Sequence, residues 1–213
     1  EERAEADKTP QVDAPLAVEL ANVDFGYEGG RAVLKNFALK VAPSEMVTLA
    51  GRTGAGKSTI FKLILGDYEP WAGTVHVWGV DAAQLAPQAR RRFVGHVDQA
   101  FRAVPGTVAD QITLGDPGIS REEMTQAAQL AGIGGALEAL PQGYDTPYAE
   151  GLLSQGQTQL LSIARAVAAN PKLLLLDEIT ANLDSGTEQQ VMEALRRASQ
   201  NRAVISISHR LYE

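Results

Sequence analysis

The sequence contains no cysteine, which excludes disulfide staples, thiolate zinc sites and a cysteine nucleophile, and fits a reducing compartment. No stretch approaches about eighteen uninterrupted apolar residues, so no helix predicted from it spans a bilayer, and its acidic start does not make a signal peptide. Basic residues are in deficit: 19 Lys and Arg against 26 Asp and Glu give a formal charge of −7. That balance argues against the backbone of DNA or RNA as the main partner. What is present is globular in kind. With 213 residues, 45% of them hydrophobic and 21% charged, the chain suits one domain with subdomains rather than a disordered or fibrous polymer.

Residues 1–15, acidic and proline-containing, read as a flexible linker, with structure expected over 16–213. The segments Leu16–Val23 and Ala32–Val41, broken by Gly26 and by Gly29 and Gly30, predict a small antiparallel sheet. Met46–Ala50 predicts a strand that runs into Gly51, and Lys57–Leu65 a helix ending at Gly66. Gly73–Trp78 and Phe93–Val97 read as further strands. Helical text then dominates from Thr107 to Gly151, with Ser120 and Glu123 spaced as a reciprocal cap ahead of Met124, Ala127, Ala128 and Ala131. This predicts a helical insert over about residues 100–165. Leu160, Ala164, Val167 and Ala168 form a core-facing helical stripe, and Leu173–Leu176 a buried strand. A last helix carries Val191, Ala194, Leu195 and Ala198 behind a predicted cap at Ser185 and Glu188, before the strand Ala203–Ser208. Apolar strands separated by helices point to an α/β fold with a mainly parallel core sheet. The chain begins without methionine and stops soon after its last strand, as a piece of a longer protein would.

The run Gly51, Arg52, Thr53, Gly54, Ala55, Gly56, Lys57, Ser58, followed by Thr59, fits the phosphate-loop pattern. Glycines let successive N–H groups curl around phosphate oxygens, and the helix behind them adds partial positive charge. Lys57 would reach the β- and γ-phosphates, and the Ser58 hydroxyl would ligate Mg2+. The apolar strand Leu173–Leu176 ends in Asp177 and Glu178, two carboxylates at a ligand-facing strand end. Asp177 would hold Mg2+, and Glu178 would orient or deprotonate an attacking water. Leu153, Ser154, Gln155, Gly156 and Gln157 combine a capping box with free amides beside a glycine. The same geometry serves a helix start or an anion site.

Taken in order, the phosphate loop, Gln99, the LSQGQ segment, the LLLLDE strand, the stretch Ala181 to Asp184, and His209 resemble the nucleotide-binding domain of an ABC transporter, over nearly everything from Leu16 onward. Tyr27 after a short strand, Val104–Val108 after the glutamine, and Asn170, Pro171 and Lys172 are similar to the exporter branch. The resemblance implies a P-loop NTPase fold of the ABC type, with an N-terminal antiparallel β subdomain and a helical insert subdomain. It also implies roles. Tyr27 would stack on adenine, Gln99 would contact Mg2+ and the attacking water, and His209 would hold the γ-phosphate. Ser154, Gly156 and Gln157 would meet the nucleotide of a second ABC domain, and Asp184 would communicate across that interface. ATP and Mg2+ are the implied cofactors. The implied partners are a second ABC ATPase domain, the same or different, and a transmembrane transporter domain, on the cytoplasmic side of a membrane, with no nucleic acid.

Three features depart from the family. Gln155 stands in place of Gly, Leu160 in place of Arg, and the segment before the signature is reduced to Tyr148, Ala149, Glu150 and Gly151. The family usually continues past the point where this chain ends. The expected function is ATP hydrolysis powering export. The alternatives are a soluble ABC ATPase acting on DNA or ribosomes, against which the acidic charge and the absence of room for a long coiled coil between Lys57 and Leu153 weigh, and a nucleotide-binding regulator without turnover. Arg90, Arg91 and Arg92 read as a solvated face, and His76, His96, Trp71 and Trp78 as sheet or core residues with no metal spacing.

Overall fold

In the computed structural model, residues 10, 13–51, 56–177 and 183–208 are described. Most of the expected 1–15 linker, the loop residues Arg52, Thr53, Gly54 and Ala55, and also Glu178, Ala181, Asn182 and His209, lie outside them.

Alternating apolar residues build the first sheet. β1 (Val18–Gly26) pairs antiparallel with β2 (Ala32–Val41) on one side and with β4 (Ala72–Val77) on the other. Between them in the chain come β3 (Met46–Ala50) and α1 (Lys57–Ile64). β4 turns into the short β5 (Val80–Asp81), which completes the order β2-β1-β4-β5. The antiparallel sheet is therefore larger than the two N-terminal strands expected: it recruits the Gly73–Trp78 segment from beyond α1.

The second sheet is wholly parallel. After α2 (Pro87–Phe93), β6 (Val94–Val97) joins β7 (Leu173–Asp177) and β8 (Ala203–Ser208) in the order β3-β8-β7-β6. The inserted helices α3 (Val108–Thr113), α4 (Arg121–Ala131), α5 (Gly134–Glu138) and α6 (Gln155–Val167) separate β6 from β7, and α7 (Ser185–Ser199) separates β7 from β8.

The four leucines of β7 explain how the layers stack. Leu173 and Leu175 point into a core shared with Ile60, Phe61, Leu63 and Ile64 of α1 and with the antiparallel sheet. Leu174 and Leu176 point into a second core with α3, α4, α6 and α7. A parallel strand covered on both faces must be apolar at every position, which is why its sequence is a continuous run. The stripes expected on α4, α6 and α7 are all buried, and the Ser120–Glu123 capping box forms as spaced. The cap of α7 differs by one residue: Asp184, not Ser185, accepts the Thr187 N–H at 3.2 Å, and Ser185 is already helical.

The arginine run is also not a solvated face. Arg91 donates to the carbonyls of Thr113 (2.8 Å), Ile112 (3.4 Å) and Arg165 (3.2 Å), Arg92 to that of Gly118 (2.9 Å), and Arg90 to that of Leu85 (3.3 Å). These guanidinia satisfy carbonyls at loop and helix ends, α3 among them, which have no intrahelical partner. Trp71, expected in a core or sheet, is 55% exposed.

Candidate phosphate-binding site

The register of the parallel sheet sets the site. Ala50 is paired with Ser208, and Asp177 with Ile207, so the C-terminal ends of β3, β8 and β7 form one edge. Gly51 leaves that edge and Gly56 opens α1. Gly56 has φ of 83°, and a Cβ there would lie 2.9 Å from Val33 Cγ1 and 3.2 Å from Leu34 Cδ2. Both the left-handed backbone and the close packing on β2 require glycine. Among the described residues no side chain caps the α1 N-terminus, a helix start whose first amides suit an anion.

Lys57 is buried, and its ammonium donates to the carbonyl of Gly51 and, at 3.5 Å, to that of Ser208. It thus ties the strand ends on either side of the loop. Ser58 beside it is exposed, and Thr59 is buried with its hydroxyl 2.9 Å from Tyr27 Oη. Tyr27 is half-buried and stands edge-on to Phe25 at 5.4 Å and to Tyr68 at 5.6 Å, with Lys62 Nζ 5.4 Å from its ring centre. Tyr68 and Lys62 were not singled out from sequence. The only local signal was the aromatic pair Tyr68 and Trp71 just past α1.

Asp177 is half-buried at the end of β7. Beside it, at the end of β6, stand His96 and Asp98. One donor atom from each of His96, Asp98 and Asp177 lies within 4.8 Å of the others. The absence of metal spacing around His96 in the sequence is corrected here: the parallel pairing of Val97 with Leu176 supplies neighbours that sequence distance hides. Burial lowers the His96 pKa against the opposing pull of Asp98, Asp177 and Asp67, so burial favours the neutral ring. Gln99 is exposed just beyond, its N–H donating to Asp98 Oδ1 at 2.7 Å. Carboxylate and hydroxyl oxygens at Asp177 and Ser58 suit a hard divalent ion such as Mg2+.

The signature segment lies elsewhere. α1 covers one face of the parallel sheet and α6 the other, so Ser154, Gly156 and Gln157 belong to a surface separate from Lys57. Ser154 accepts the Gln157 N–H at 3.2 Å, and Gln157 Oε1 accepts the Ser154 N–H at 3.0 Å. Gly156 is buried because α7 approaches it: a Cβ there would lie 2.2 Å from Thr187 Cγ2. Thr187 also holds the exposed Asp184, whose carboxyl it keeps below the usual range by side-chain and backbone hydrogen bonds. Ser154, Gly156 and Asp184 are thereby parts of one α6–α7 junction. Leu160, in the position of the family's arginine, is buried in the helical core.

A further residue, Arg165 on α6, joins this junction to the segment after Gln99. It donates to the carbonyls of Gln111 (2.6 Å) and Arg102 (2.8 Å), and its guanidinium lies 4.5 Å from the Phe101 ring centre. Gln111, fully buried, receives the Val104 N–H at 2.8 Å and donates to the Val104 carbonyl at 2.7 Å. The shortened segment before the signature is tied to the same loop, with the Tyr148 N–H donating to the Gly106 carbonyl at 2.9 Å. Neither Arg165 nor Gln111 carried a sequence signal, because their partners are backbone groups of other segments.

The family profile described as ABC transporter matches residues 34–181. An ATM1-type heavy metal exporter of Novosphingobium aromaticivorans is 40% identical over 197 residues, which are 92% of this chain and 32% of that protein. The alpha-hemolysin translocation ATP-binding protein HlyB of Escherichia coli O157:H7 is 38% identical over 91% of this chain and 28% of its own. A mycobactin import ATP-binding/permease protein of Mycolicibacterium smegmatis is 40% identical over 97% of this chain and 24% of its own. Among solved structures, a bacterial Atm1-family ABC exporter with ATP bound superposes with a TM-score of 0.79 at 36% identity, covering 97% of this chain and 38% of that one. The chain thus spans about a third or less of the length of the curated relatives named here, and no described helix is long and apolar enough to cross a membrane. With a profile match over more than half its length and these likenesses in sequence and fold, the chain belongs to the ABC transporter family as an exporter-like ATP-binding domain.

Proposed function

We propose that this chain binds ATP with Mg2+ and hydrolyses it when two such domains close face to face, powering export through a membrane domain that is fused to it or supplied as a partner, at the cytoplasmic face. The observation that carries this reading is the shared strand edge, where Lys57 bridges the ends of β3 and β8 and Asp177 ends β7 beside them. The Lys57 ammonium rests on the carbonyls of Gly51 and Ser208. Phosphate oxygens are stronger acceptors, so nucleotide binding draws Lys57 off them without moving its helix. The residues 51–59 then cradle the phosphates, Tyr27 packs on the base, and Ser58, Gln99 and Asp177 hold the metal. Bound there, Mg2+ neutralises charge developing on the phosphoryl oxygens. Glu178, next to Asp177 in sequence, takes the proton of the attacking water, and His209, next to Ser208, contacts the γ-phosphate.

Placement of α1 and α6 on opposite faces of the sheet supports the need for a second copy. Ser154, Gly156 and Gln157 serve a nucleotide held by the partner's phosphate loop, and Asp184 lies at the contact. Half of the transition-state stabilisation then comes from another chain. Two of the relatives are named for export or translocation and one for import. The exporter-like features of this sequence favour the outward direction. The test is phosphate release measured against domain concentration. A steeper-than-linear rise is expected, together with a stable ATP-bound dimer in Glu178→Gln. Strictly linear turnover, or a Glu178→Gln variant as active as the parent, overturns the two-copy mechanism.

A further inference from the structure

We infer that His96, Asp98 and Asp177 form a binding site for a first-row transition-metal dication, distinct in its nitrogen donor from the oxygen-ligated Mg2+ of the nucleotide. In a parallel pair whose register sets His96 against Leu175 and Val97 against Leu176, residues two apart share a face, so His96 on β6 and Asp98 just past its end lie on the face of Leu175 and Asp177 of β7. This is the α1 side, where the His96 ring meets Phe61 edge-on at 5.8 Å. Three donor atoms no more than 4.8 Å apart can all lie within about 2.8 Å of one point, and small side-chain rotations bring such a set to the ~2.1 Å typical of nitrogen and carboxylate ligands.

A second observation points to a ligand. His96 Nε2 is shut off from solvent and has no hydrogen-bond partner among the described residues, although buried polar atoms are nearly always satisfied. One imidazole and two carboxylates suit Mn2+, Fe2+, Co2+ or Zn2+ and are a poor set for Mg2+, which takes oxygen ligands and keeps its waters. All three residues are half-buried.

The inference rests on the ends of β6 and β7, not on nucleotide chemistry, and its test omits nucleotide so that its failure leaves the ATPase reading untouched. Co2+ is titrated into the protein in an excess of Mg2+ and followed by visible absorption and proton NMR. Saturable binding of one equivalent is expected, with a hyperfine-shifted imidazole resonance. His96→Gln should abolish that resonance, and His96→Gln and Asp98→Asn should each weaken binding by at least about tenfold. Far-UV circular dichroism confirms that the variants are folded. Should His96→Gln not fold, Asp98→Asn and the resonance in the parent protein decide alone. Absence of saturable binding, affinity unchanged in the variants, or binding without an imidazole signal overturns the site.

Discussion

Replacing Gly156 by Ala separates two roles that the signature glycine combines. The added Cβ would stand 2.2 Å from Thr187 Cγ2, far inside van der Waals contact, and overpacking of this kind costs about 1–3 kcal/mol. Two effects reduce that. Alanine in a helix is worth about 0.5–1 kcal/mol over glycine. Rotation of Thr187 about χ1 also removes the methyl, but it disturbs the hydroxyl that faces the exposed Asp184 carboxyl. The net expectation is a destabilisation of about 1 kcal/mol, read as a lower urea midpoint at unchanged m-value. In Gly156→Ala with Thr187→Ala, the nearest Thr187 atom left is its Cβ at 3.6 Å, an ordinary contact. The double variant should therefore regain stability relative to the sum of the singles, with a coupling of roughly 1 kcal/mol. ATP hydrolysis should not recover with it, because the backbone approach of a partner's nucleotide to residue 156 stays blocked. A Gly156→Ala variant as stable as the parent, or single effects that simply add, refutes the packing argument. Recovery of hydrolysis in the double variant refutes the nucleotide contact.

Other expectations follow from the same contacts. Lys57→Ala should lower ATP affinity at least about tenfold through loss of the ammonium placed at the phosphate loop's helix start, measured by titration calorimetry, and unchanged affinity contradicts the loop assignment. Gln111→Leu leaves the Val104 N–H and C=O without their amide partner and should destabilise by about 1–3 kcal/mol; a midpoint shift near zero means the loop re-pairs with water. Asp184 and Glu123 have carboxyl pKa values lowered by their capping bonds to Thr187 and Ser120. Their contribution is complete above the unfolded values near pH 4 and is lost as pH falls through the lower folded ones. Thermal melts should show a decline on that acid side which Asp184→Asn and Glu123→Gln each make shallower, and equal slopes in all three proteins exclude the caps as its source.

Much of this architecture was legible because its signals are local. A four-leucine strand ending in Asp177, the glycine loop ahead of α1 and the capping boxes at Ser120 and Ser154 each involve residues within one turn or one strand of each other. Legibility failed where partners are distant or registers compete. Asp184 with Thr187 and Ser185 with Glu188 offer two overlapping caps, and the carboxylate at Asp184 took the amide. Arg91 resembles any exposed basic residue until α3 is brought beside it, 21 and 22 residues away at Ile112 and Thr113. His96 gained Asp177 as a neighbour through strand pairing with a segment on the far side of the helical insert. At the candidate site, types and order could be read for Lys57, Ser58 and Asp177. The anchoring of Lys57 on Gly51 and Ser208 could not, since it depends on β3 and β8 being neighbours.

β7 is a party wall one side chain thick. Leu173 and Leu175 furnish one room, Leu174 and Leu176 the other, and Asp177 projects from the end of the partition. Any rearrangement of the helices on one side presses on the same strip of backbone that α1 leans against from the opposite side. A push from beyond the insert would therefore arrive at the carboxylate through a single shared plank, with no separate linkage required.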